Sequence, residues 1–194
     1  LGECLKDGRI DRSPGGARRF LRQTLTVLPG RHSYGIAVPS NRGNTGRSAV
    51  KMPGYIGEVM PFRYCEIDGT DLKSKDIRIC RQTVQYPFDD SSSDFSCSDT
   101  ILQKVWNLCT YSVKATSFAG LYVDGDRERI PYEGDAVINQ LSHYCADREY
   151  TLARRSHEHL LLHATWPTEW ALLSVRMAWL DYLYTGDDRS LRQF

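Results

Sequence analysis

Two rhythms of apolar and polar positions divide the chain. In the first 96 residues, apolar side chains recur at every second position in short runs. Tyr34, Ile36 and Val38 alternate with small residues, and Ile77 and Ile79 flank Arg78. A period of two places successive side chains on opposite faces of a strand. Pro14-Gly15-Gly16, Pro29-Gly30 and Pro53-Gly54 punctuate these runs as turns. The segment from Asn41 to Pro53 is polar and reads as a long loop. Short strands between turn signals predict an antiparallel, sandwich-like β part over residues 1–96, with too few strands to close a sandwich. Asp89-Asp90-Ser91-Ser92-Ser93-Asp94 marks its boundary.

From residue 97 the period becomes helical. Ser98 is placed to cap a helix with Ile101, Val105, Leu108 and Val113 as its apolar stripe. A second helix begins at Asp135, with Ile138, Leu141 and Cys145 on one face. A third begins at Asp147 and carries Leu152, His159, Leu160 and His163. A fourth begins at Thr168, with Leu172, Val175, Trp179 and Tyr182, and Gly186 stops it. Asp187 opens a fifth that the chain end interrupts. The later connections are short, which makes neighbouring helices antiparallel. The predicted class is thus α+β and multidomain, a β part followed over residues 97–194 by the opening helices of an all-α part.

Length and composition narrow the function classes. At 194 residues and 41% hydrophobic content, the chain can hold a genuine core in one domain or one and a half. A formal net charge of +1 gives no electrostatic basis for binding nucleic acid or an anionic membrane. No run of roughly 18 apolar residues occurs, which excludes a spanning helix. The opening LGECLKDGRI has no hydrophobic signal region and no initiator Met, so the sequence is expected to begin inside a longer protein. Periplasmic, secreted and cytoplasmic locations all stay open. Six cysteines, at 4, 65, 80, 97, 109 and 145, form no CxxC pair and have no His at zinc-ligand spacing. They read as free or buried thiols, Cys109 and Cys145 on apolar helix faces, with one or two disulfides as the alternative.

One connection breaks the helical pattern. Phe118 to Gly134, FAGLYVDGDRERIPYEG, is long for a link inside a helical domain, and long links are often functional. It gathers Asp124, Asp126, Glu128 and Glu133 beside Arg127 and Arg129, with Asp135 at the following helix start. Crowded carboxylates raise one another's pKa, which keeps one protonated as a general acid. Tyr122 and Tyr132 add flat apolar surfaces of the kind a sugar ring needs. Taken singly, Asp135 reads as a helix cap, Glu128 as a surface ion pair and Tyr132 as core; taken together they point to a site.

Two metal readings compete and are weaker. Asp124, Asp126, Glu128 and Asp135 share the ligand spacing of an EF-hand loop, but Arg129 stands where the sharp turn requires Gly. His157, His159 and His163 lie in HEHLLLH, which lacks the HExxH order of a metalloprotease and reads as packed or solvent-facing histidine. Trp179 fits a core stripe, whereas Trp166 and Trp170 flank Pro167 and Glu169 at a helix mouth and are candidates to line a sugar pocket.

The run YVDGDRERIPYEGDA, Tyr122 to Ala136, resembles the signature of family 78 α-L-rhamnosidases, where Asp precedes an Arg and Glu and an aromatic-x-Gly-Asp comes after a short gap. Glu128 and Asp135 keep the family's spacing, and Tyr132 stands where the family usually has Trp. WLDYLYTGD, Trp179 to Asp187, is similar to the family's helix end. The resemblance implies a β-sandwich leading into an (α/α)6 catalytic barrel, of which this chain carries the end of the first and the start of the second. It implies that Glu128 is the general acid of an inverting hydrolysis of terminal α-L-rhamnosides, that Asp135 and either Asp124 or Asp126 bind sugar hydroxyls, and that Tyr132 stacks on the sugar. Arg127, Trp166, Trp170 and Glu169 are further candidate substrate contacts. Two departures accompany it. Asp124 is closer to Glu128 than the family's first Asp, and Trp170-Ala171-Leu172 replaces an expected Trp-Gly-Asp. The implied ligand is a rhamnose-containing oligosaccharide, polysaccharide or glycoside, with no cofactor, and the general base is expected beyond Phe194. A non-catalytic carbohydrate-binding relative and a calcium-stabilised structural domain are the alternative readings.

Overall fold

In the computed structural model, which describes residues 1–69, 71 and 73–193, the first paired backbone is a minimal hairpin. Strands β1 (Leu5–Lys6) and β2 (Arg9–Ile10) run antiparallel with Leu5 opposite Ile10. Asp7 and Gly8 join them with φ of 51° and 78°, the left-handed pair that a two-residue hairpin turn demands. Glu66 holds the hairpin by accepting from the Ile10 amide at 3.1 Å and pairing with Arg9. These residues belong to a compact unit of Leu1–Asn41 and Met52–Val84; a second comprises Arg42–Lys51 and Gln85–Phe194.

No β-sandwich forms among the described residues of the N-terminal part. Tyr34, Ile36 and Ile79 lie outside any strand and are 39%, 44% and 60% exposed. Alternation marks a face that could be buried, but a strand is stable only when partners cover that face and pair its backbone.

The second unit is helical. Helix α1 (Thr100–Ala115) is capped by Asp99, not Ser98: Asp99 has extended backbone and its carboxylate accepts from the Ile101 amide at 2.8 Å. A second hairpin, β3 (Ser117–Phe118) with β4 (Leu121–Tyr122), comes directly after it. Helix α2 (Glu133–Ala146) starts two residues before Asp135, with Tyr132 at its cap position. Asp147, expected to open the next helix, ends this one, and α3 (Thr151–Leu162) begins later. Glu149 starts α3 by accepting from the Thr151 and Leu152 amides at 2.8 and 3.1 Å. A 3-10 turn over Thr168–Leu172 leads into α4 (Leu173–Thr185), and α5 (Arg189–Gln193) closes the series. Gly186 ends α4 as expected, at φ 70° with its N–H on the Tyr182 carbonyl.

The core lies where α2, α3 and α4 meet and joins Tyr122, Ala136, Val137, Tyr144, Leu152, Leu160 and Met177. A buried polar lock ties the three helices. Asp181 on α4 accepts from Tyr144 on α2 at 3.0 Å and from Arg154 on α3 at 2.8 Å. The predicted stripes on α1, α2 and α4 are largely exposed, although Val113 at the end of the α1 stripe is buried as expected. Ile101, Leu108, Ile138, Leu172 and Val175 are 63–73% exposed, while α4 buries Met177, Ala178 and Asp181. These helices are apolar on more than one side, so periodicity alone does not choose the inner face. The buried hydrogen bonds of Gln140, Tyr144 and Asp181 choose it.

Cys109 and Cys145 are likewise exposed, not buried, and all six cysteines are free thiols. His157 is buried, whereas His159 and His163 stack with ring centroids 4.3 Å apart. Among the described residues no helix is long and apolar enough to cross a membrane.

Candidate active site

The long connection after α1 is anchored at its start. Tyr122, fully buried, donates its amide to Ser156 Oγ at 2.9 Å and sets its hydroxyl 2.7 Å from His143 Nδ1. The β3–β4 hairpin is therefore fastened to α2 and α3, and only the stretch between Tyr122 and α2 is irregular. That stretch closes on itself. The Asp124 amide donates to the Ile130 carbonyl, the Ile130 amide returns to Asp124 Oδ1, both at 3.1 Å, and the Arg129 amide reaches the Gly125 carbonyl at 3.0 Å.

Arg129 is the post around which this loop is built. Its φ of 57° is costly for a residue with a Cβ. Its contacts compensate. The guanidinium is 1% exposed, donates to Asp126 Oδ1 from Nε at 2.9 Å and Nη2 at 2.6 Å, and lies 4.6 Å above the Phe118 ring. The polar segment Arg42–Lys51 is part of the same assembly. Val50 donates its amide to the Arg129 carbonyl at 2.8 Å, and buried Asn44 donates to the Asp126 carbonyl at 2.7 Å.

Held on this frame, Glu128 is one-third exposed. Its Oε2 accepts from the Tyr132 hydroxyl at 2.9 Å, and its Oε1 lies 3.3 Å from Arg127 Nη2. Arg127 reaches Asp124 Oδ2 as well, at 3.2 Å; this bond, with the charge of Glu128, raises its pKa. Burial first, then the Glu128 hydrogen bond, pushes the Tyr132 phenol up to about 12. Asp135, in the first turn of α2, is half-buried. Burial and then the charge of Asp124 raise its carboxyl above the ordinary Asp range, and Arg127 partly opposes them. Among the described residues nothing hydrogen-bonds the Asp135 carboxylate. The loop thus presents one carboxyl between a phenol and a guanidinium, a second whose ionised form burial disfavours, and hydrogen-bonding capacity left for a polar ligand.

An aromatic wall adjoins the Glu128–Tyr132 pair. Trp170 packs edge-to-face on Tyr132, centroids 6.1 Å apart, and Trp166 stands beyond it at 6.5 Å. Trp170 also lies over Gly134, where a Cβ would meet three of its ring atoms at 3.4 Å, an ordinary contact distance. Buried Glu133 ties the wall to α2, accepting from the Thr165 amide at 2.9 Å and from the Thr165 hydroxyl.

A family model for the bacterial alpha-L-rhamnosidase 6 hairpin glycosidase domain matches residues 90–194, more than half of the chain. The chain belongs to this family. No curated protein and no solved structure matches it. The helices of this six-hairpin glycosidase domain thus belong to a glycoside hydrolase family, whose substrates are carbohydrates.

Within the glycosidase domain the residues singled out from sequence are only partly gathered. Glu128, Tyr132, Arg127 and Asp124 form one hydrogen-bonded group, with Asp135 under the influence of the last two. Asp126 is turned to Arg129 instead. Trp166 stands 84% exposed, and Glu169 is exposed in the 3-10 turn. The EF-hand alternative loses Asp126 to the Arg129 clamp, and no three His, Cys, Asp or Glu among the described residues are grouped to hold a metal. A concavity of about 480 Å³ lies at the far end of α2 beside Asp89, Asp147 and Glu149. Those carboxylates are occupied with capping local backbone.

Three supports escape sequence reasoning. Arg129 counts there as an objection to calcium, and Glu133 as one more loop carboxylate. Asn44 gives no local signal.

Proposed function

We propose that this domain acts in the inverting hydrolysis of terminal α-L-rhamnosides, with Glu128 as the general acid. The observation that carries this reading is the Glu128 carboxyl on a braced loop, with Tyr132 on one oxygen and an exposed Arg127 on the other. Asp135 and Asp124 are assigned to sugar hydroxyls: Asp135 has its hydrogen-bonding capacity open, and Asp124 Oδ2 exchanges the exposed Arg127 for a hydroxyl. Trp170 and Trp166 supply the apolar wall for the ring or its aglycone, with Glu169 at the rim.

Inversion needs a base roughly 6.5–9.5 Å from the acid, on the opposite face of the sugar. Glu149 caps α3, Glu133 is bound to Thr165, and Glu158 is exposed on a helix. The exposed apolar faces of α1, α2 and α4 support further helices packing there. The test is NMR of the first sugar released from an aryl α-L-rhamnoside by the full chain. The β-anomer is expected first; the α-anomer rejects inversion, and hydrolysis of other glycosides but not rhamnosides rejects the substrate.

Asp135→Asn separates binding from stability. KM is expected to rise, because a carboxylate acceptor is lost. The folded-state pKa of Asp135 is raised, so its ionised form opposes folding above the unfolded value of about 3.9. The Asn variant should thus melt higher than the native chain at pH 7, and the gain should vanish as pH falls below that value. An unchanged KM would remove Asp135 from the sugar site.

A further inference from the structure

We propose that the Tyr132 hydroxyl is a positioning group for the acid, holding Glu128 Oε2 so that Oε1 carries the proton given to the leaving oxygen. This rests on Glu128 being the acid. The 2.9 Å bond runs from a phenol that is itself fixed. Its ring meets Trp170 edge-to-face at an interplanar angle of 89°, and the next residue, Glu133, is pinned to Thr165. A phenol pushed up to about 12 keeps its proton across the working pH range, so it is a donor whatever the state of Glu128. With Oε2 engaged as acceptor, the acid proton resides on Oε1.

Other charged groups near this carboxyl are Arg127, directly on Oε1, then Asp124 and Asp135, which share Arg127's field. Arg127 is 61% exposed and free to swing from Oε1 when that oxygen is protonated. In the proton transfer the Oε1–H bond breaks and the proton passes to the glycosidic oxygen. The electron pair of the cleaved C–O bond goes to that oxygen, and water adds to the sugar carbon as its proton passes to the general base on the opposite face. Negative charge grows on Glu128 as this happens. A hydrogen bond to a carboxylate is stronger than one to a neutral acid, so the Tyr132 contact tightens toward the transition state.

Tyr132→Phe in the full chain keeps the ring against Trp170 and removes the donor. Turnover of an alkyl α-L-rhamnoside is expected to fall about ten-fold with KM nearly unchanged. Losing a hydrogen bond to the ionised form raises the acid's pKa, so the alkaline limb of the kcat/KM profile should move up by about one pH unit. Carbon-13 NMR titration of the Glu128 carboxyl should show the same upward shift without any turnover. A shared shift in both supports the positioning role; a loss of activity with neither titration moved overturns it as merely structural. Glu128→Gln separates the two levels. If Glu128→Gln is inactive and Tyr132→Phe leaves the limb in place, only the role of Tyr132 falls; if Glu128→Gln stays active, the acid assignment falls and takes this inference with it.

Discussion

Glu128→Gln in the full chain is expected to lower turnover of alkyl α-L-rhamnosides by roughly 10²–10⁴-fold while the sugar still binds. The amide keeps the size and still accepts from the Tyr132 hydroxyl, so the loop should stay folded. What disappears is the proton for the leaving oxygen. The deficit should therefore shrink with nitrophenolate leaving groups, which depart without protonation. Near-native turnover of alkyl substrates would reject Glu128 as the acid. A leaving-group-independent deficit would point instead to a role in binding.

Arg129→Met is expected to have the second-largest effect, on stability and site integrity together. Met retains much of the packing on Phe118 but leaves Asp126 without its clamp. Breaking a fully buried pair costs about 3–5 kcal/mol. Asp126 is a quarter exposed and can rehydrate, which sets the expectation near the lower figure. The αL backbone at this position also loses the contacts that offset its strain. Urea unfolding should show the loss, and sugar affinity should fall with it because Asp124 and Glu128 hang on the same loop. Adding Asp126→Asn should recover part of the stability, since the charge that Arg129 balanced is then gone. A variant as stable as the native chain would mean the clamp is ornamental.

The amino-acid order makes some of this readable and conceals the rest for identifiable reasons. The acid loop stands out because Glu128, Tyr132 and Asp135 form a local pattern in a connection too long for its neighbours. Gly186 stops α4 where expected because only a residue tolerant of positive φ sits there easily. Helix starts differ from expectation by a few residues. Asp99, Glu149 and Tyr132 occupy the starts, and several polar residues in each stretch are eligible. The inner helix faces differ from expectation because Ile138 and Val175 are as apolar as the residues that are buried. Long-range hydrogen bonds decide between the faces, and no periodicity encodes them. Asn44 is invisible for the same reason, its partner Asp126 lying far along the chain.

That last distance has a kinetic meaning. The helices around Asp181 are assembled from contacts between neighbours in sequence and can condense quickly. The brace on the acid loop must instead bring Asn44 and Val50 to residues 126 and 129, across a separation of 82 positions in the Asn44 bond. Closing so long a loop is slow relative to local condensation, and its entropy is lost before the hydrogen bonds form. During synthesis and refolding, the helical framework is therefore expected to precede the braced loop, which is the last part of this unit to mature.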